Sequence, residues 1–113
     1  IKNQEDMEFA TELFVHTLRN QAEWQERMAA KAKQWDFNRM APVDRSIVQM
    51  ALSEVVAFPQ IPVKVSIDEA IELAKQYGSP KAASFVNGIL DAVVGDLKSE
   101  GRIQKLGRGL IGS

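Results

Sequence analysis

The sequence predicts an all-α protein, a compact helical bundle of about five helices. Long stretches repeat apolar residues at i, i+3, i+4 and i+7, and helix start and stop residues fall between those stretches. No stretch alternates apolar and polar residues with the period of two that a half-buried strand requires. With 113 residues, 45% hydrophobic and 26% charged, the chain has the size of one domain with a single core. Residues 1–100 are expected to form that domain, and 101–113, with four glycines and three basic residues, a flexible solvated tail.

Taken in order, Ala10, Leu13, Phe14, Leu18, Trp24, Met28 and Trp35 keep nearly helical spacing, so residues 5–35 read as helix, with a break near Asn20. The stretch WDFNRM connects to the next helix, where Pro42 suits the first turn because its missing N–H would have no intrahelical partner there. Asp44 complements the positive end of the same helix dipole. Ile47, Val48, Ala51, Leu52, Val55 and Val56 turn toward the core, the helix runs to about Phe58, and Pro59 and Pro62 end it.

In KVSIDEAIELAKQYG, Ser66 and Glu69 have the spacing of a capping box, which predicts a helix start at Ser66. Asp68, Glu69 and Glu72 would then sit near a helix amino terminus, where negative charge is favoured. Gly78 is expected to close that helix in the left-handed conformation. Ser79 and Pro80 open the last helix, whose stripe runs through Ala82, Phe85, Val86, Ile89, Leu90, Val93 and Leu97. Asn87 and Gly88 interrupt it. A mid-helix glycine costs about 1 kcal/mol relative to alanine, so Gly88, with Ser84, Ala92 and Gly95, predicts a second face approached closely by another backbone. Asn87 is expected to hydrogen-bond a buried loop or helix end.

Composition narrows the function. The formal net charge of −1 lacks the basic excess of a domain that holds nucleic acid by electrostatics alone. There is no cysteine, hence no disulfide or thiolate metal site. The amino terminus IKNQEDMEF has no secretory pattern and no apolar run is long enough to span a bilayer, so a cytoplasmic protein is expected. The chain starts at Ile1 with helical periodicity close behind, and is expected to be the carboxy-terminal piece of a longer polypeptide. His16 is the only histidine, no glycine loop precedes a lysine-serine pair, and neither a catalytic group nor a cofactor is expected. Ile47, Met50 and Glu54 line up at i, i+3 and i+7 on the margin of the core face, open either to a docking partner or to ordinary packing with a solvated glutamate.

The region from about Trp35 to Leu97, above all APVDRSIVQMALSEV, IPVKVSIDEAIELAKQYG and SFVNGILDAV, resembles the carboxy-terminal portion of the NusB transcription antitermination family. Residues 7–35 fit as the preceding family helix. The resemblance implies a non-enzymatic helical scaffold that docks the ribosomal protein NusE and contributes to binding boxA RNA of nascent ribosomal RNA, within the RNA polymerase antitermination complex. A similar domain fronts certain ribosomal-RNA cytosine-5 methyltransferases, which leaves an RNA-targeting module as the alternative. The family's glutamate at the NusE surface matches Glu54, and its phenylalanine near RNA matches Phe85. The lysine that commonly precedes that phenylalanine is Ser84 here, and Lys81 stands in as the candidate cation. Core packing is the default for Phe85 and base stacking the alternative.

Overall fold

In the computed structural model, which describes residues 2–32 and 37–106, the first helical run breaks at Asn20 into α1 (Lys2–Arg19) and α2 (Gln21–Lys31). At the break the Asn20 backbone N–H still makes the helical bond to the His16 carbonyl at 3.1 Å, and the Asn20 side-chain amide donates to the same carbonyl at 2.8 Å, a local side-chain bond that competes with continuing the helix. A 3₁₀ turn (Phe37–Arg39) leads into α3 (Pro42–Ala57), followed by α4 (Val63–Tyr77) and α5 (Ala82–Ser99). Pro42 is in the first turn of α3, as expected. Trp35 and the glycine-rich end, residues 107–113, lie outside the described residues, and no strand occurs among those described.

α5 is the axis of the bundle, packed by α2, α3 and α4. Val86, Ile89, Leu90, Val93 and Leu97 are fully buried on it, and the core continues through Val48, Leu52 and Val55 of α3 to Trp24 and Met28 of α2. Trp24 donates its indole N–H to Ser53 Oγ at 2.9 Å, so the largest core side chain enters without stranding its one donor. The central place of α5 comes from this stripe and not from its small residues. Ser84, Asn87, Gly88 and Gly95 are exposed, and a Cβ added at Gly95 would meet nothing within 4 Å. The buried bonding role expected of Asn87 is therefore corrected: the residue faces outward.

Two local signals were overruled by tertiary contacts. α4 begins at Val63, capped by the extended Pro62, whose carbonyl already accepts from the N–H groups of Val65 and Ser66. Ser66 is thus one turn inside the helix, and its hydroxyl donates across to Glu54 Oε1 at 2.6 Å instead of forming a capping box. Asp68 falls beyond the first turn and pairs with Lys64 at 2.7 Å, so the dipole account of the α4 carboxylates fails as well. Gly78 is extended (φ −87°, ψ 180°), not left-handed. It is glycine for want of space: a Cβ there would lie 2.5 Å from Ala82 Cβ, 2.7 Å from the Ala74 carbonyl and 2.8 Å from Asp44 Oδ1. Asp44 itself, 3% exposed, accepts from the N–H of Ser79 at 3.2 Å and its hydroxyl at 2.7 Å, tying the α4–α5 junction to the start of α3.

The segment after α5 also departs from the solvated tail expected of it. Gly101, at φ +73°, takes the left-handed conformation; its N–H bonds the Lys98 carbonyl and that of Arg102 the Leu97 carbonyl, a Schellman turn. The chain then folds back, with Ile103 against the core and Lys105 only 2% exposed. Lys105 Nζ donates to the Phe58 carbonyl at 2.9 Å, and the Leu106 N–H to that of Pro59 at 3.1 Å.

Candidate functional site

The three residues aligned on the margin of α3 separate in depth. Ile47 is buried in the core at 4% exposure, Met50 reaches the surface at 37%, and Glu54 is half-buried with its carboxylate held by Ser66 of α4. They stay together nonetheless, because all three line one groove of about 400 Å³ between α1, α3 and α4. Its walls include Phe9, Leu13 and Leu73, and its rim carries Glu69 and Glu72. An apolar floor with acidic groups at its edge can take an apolar side chain flanked by cationic or N–H donors.

Met50 is also the ridge between this groove and a second one, of about 510 Å³, between α1 and α3, walled by Phe9, Leu13, Phe14 and Leu18. Phe14 and Leu18 are 63% and 52% exposed, although their spacing had placed them on a helical apolar face. Phe9 was not singled out from the sequence. Its ring packs on Phe58 with centroids 4.8 Å apart, joining α1 to the end of α3. The available signal was the pair of i, i+4 spacings Phe9–Leu13 and Phe14–Leu18, which mark two apolar edges on one helix.

The two RNA-contact candidates, Lys81 and Phe85, are not brought onto one surface, and Phe85 takes the core position that was its default. Lys81 is exposed at the entry to α5, whereas Phe85, one turn on, is 3% exposed and belongs to the core. In this arrangement its ring packs and has no open face for a base.

Charged groups concentrate elsewhere, where α2 meets the end of α5. Arg27 pairs with Glu23 at 2.8 Å and forks onto Glu100 at 2.6 and 3.0 Å, while Arg102 reaches Glu23 at 2.9 Å. The hydrogen bond from Arg102, helped by Arg27, holds the Glu23 carboxyl below its usual range, and the bond from Arg27 lowers that of Glu100. Lys31 and Asp96 extend the same seam at 3.0 Å. His16 lies near Asn20, and its pKa is lowered by burial and by the charges of Arg102 and Arg19. Among the described residues no cluster of three or more His, Cys, Asp or Glu could hold a metal, and no helix is long and apolar enough to cross a membrane.

Known proteins resemble this chain in both sequence and shape. It is 47% identical over 105 residues to the transcription antitermination protein NusB of Salinibacter ruber, covering 93% of this chain and 66% of that protein. To the protein of the same name from Chloroherpeton thalassium it is 39% identical, covering 92% of this chain and 49% of that one. A crystal structure of T. maritima NusB superposes with a TM-score of 0.73 at 35% identity, over 79% of this chain and 63% of that one. The chain thus spans between about half and two thirds of the length of these relatives. The family model described as the NusB family matches residues 1–95, and with that match over most of its length the chain belongs to the NusB family.

Proposed function

We propose that this chain is a non-enzymatic domain of a transcription antitermination factor that docks the ribosomal protein NusE and contributes to binding boxA-type RNA. The observation that carries the reading is the groove at Met50: an exposed apolar ridge beside a carboxylate that Ser66 holds in place, in a chain whose relatives are named as antitermination proteins. In this reading Ile47 forms the floor, Met50 is covered by the partner, and Glu54 accepts from a donor on NusE. Because a half-buried and oriented acceptor has already lost part of its hydration, its bond to a partner donor orders little more. Lys81 contributes a phosphate contact, and Phe85 acts beneath it by fixing the first turn of α5. With a net charge of −1, the domain adds an edge to an RNA surface it shares with NusE.

The test is calorimetric titration of the chain with purified NusE, with and without boxA RNA. Binding to NusE alone is expected. Glu54→Gln keeps an oxygen for Ser66 while removing the charge, and should weaken NusE by about tenfold with little change in melting temperature. RNA affinity should be measurable only with NusE present and should fall with salt. A Glu54→Gln variant that binds NusE as tightly as the parent would remove Glu54 from the interface, and no binding of the parent in either condition would reject the docking role.

A further inference from the structure

The matched family segment ends at residue 95, yet the chain continues in order through residue 106 and returns to the body of the fold. The Schellman turn at Gly101 directs it, and the ion pair of Arg102 with Glu23 fixes its near end to α2. Its far end reaches the carboxy terminus of α3. That helix has no basic residue in its own last turn, where the last carbonyls point outward and carry partial negative charge. Lys105 fills the need from 47 positions along the chain, its ammonium bonded to the carbonyl of Phe58, the residue that caps α3. The adjacent Leu106 N–H holds Pro59 in the α3–α4 connection.

This position is not neutral for the rest of the molecule. The Phe58 N–H donates to the Glu54 carbonyl at 3.1 Å, so the residue whose oxygen Lys105 grips is also the one that closes the turn of Glu54. The Glu54 side chain spans to Ser66 of α4, and the α3–α4 connection that sets this span is the one Lys105 and Leu106 tie. Burying an ammonium against a carbonyl alone carries a desolvation penalty, seen in the lowered pKa of Lys105, which the charge of Glu54 partly offsets. An apolar side chain would fill the site without that penalty.

We propose that residues 101–106 form a strap in which Lys105 is a positioning residue for the docking groove, capping α3 and thereby holding Glu54 in register with Ser66. The strap touches no partner itself and acts through Glu54. The proposal rests on the docking role argued above, and its test separates the two. Lys105→Met is made in the full chain, alone and with Glu54→Gln, and compared by amide hydrogen exchange and by titration with NusE at a temperature where circular dichroism shows every variant folded. Exchange of the Phe58 amide should speed up by about tenfold while amides in the middle of α5 keep their rates. Lys105→Met should weaken NusE by about tenfold, but by no more than about twofold once Glu54 is already Gln, because both act on one contact. If Lys105→Met does not fold, Leu106→Pro, which removes the N–H bonded to Pro59 and restricts the backbone of Lys105, loosens the same strap and carries the same comparison.

A Phe58 amide that exchanges at the parental rate overturns the strap. So does an unchanged NusE affinity in a variant whose Phe58 amide has been freed, or a pair of losses that simply add. Should the parent itself not bind NusE, the docking role fails on its own, and the Phe58 exchange still decides whether Lys105 holds the end of α3.

Discussion

At Gly78 the fold needs the space of a missing side chain, not freedom of rotation. The nearest neighbours of an added Cβ include the Ala74 carbonyl, which cannot swing aside as the end of a flexible side chain would. Gly78→Ala is expected to destabilise the protein by about 2 kcal/mol, since overfilling a packed junction forces backbone shifts. Urea unfolding checks this as a lowered midpoint with an unchanged slope. Ser53→Ala removes the acceptor for the buried Trp24 indole N–H and should cost about 1–3 kcal/mol by the same measurement. Neither role was legible in the sequence, because the partners lie four residues away around a bend or on another helix altogether.

At the scale of elements, the α2–α5 seam ties stability to pH. Glu23 titrates below the usual carboxylate range in the folded chain, with the hydrogen bond from Arg102 the chief cause. As pH falls the unfolded chain takes up the proton first, so the contribution of Glu23 is complete well above the usual carboxylate range and is lost as pH falls through the lower folded value. Glu23→Gln should therefore melt below the parent near neutral pH, with the gap closing in acid. The effect is modest because the side chain is partly solvated. A gap that stays constant with pH would mean the pairing is not what stabilises the seam. Helix existence was read correctly from periodicity and from Pro42 and Asn20, whose physics is local. The start of α4 was misread because the spacing of Ser66 and Glu69 fits a capping box, while Pro62 begins the helix one turn earlier and gives the serine to Glu54.

Across the whole molecule, burial is uneven. α5 carries eight buried residues, whereas no side chain described on α1 is fully buried. α1 is held mainly by α3 and by the Phe9–Phe58 contact. Hydrogen exchange should accordingly show α1 amides opening in a local step well below the global unfolding free energy, with the middle of α5 exchanging only on global unfolding. Equal protection of the two helices would contradict this. Leu90→Ala, at a fully buried position, should lower global stability by about 2–5 kcal/mol and lower α5 protection with it.

The helices, the single core and the family are legible along the chain, because periodicity, proline and the three motif stretches are properties of neighbouring residues. Helical spacing also places Met50 and Glu54 together, since i and i+4 share a helix face. Packing between helices settles what the spacing leaves open: Phe85 keeps no face for a base, Phe9 and Leu13 wall the groove beside Met50, and Lys105 closes the end of α3. Those outcomes depend on which surfaces meet across tens of residues of chain, and spacing along one helix carries no record of what packs against it.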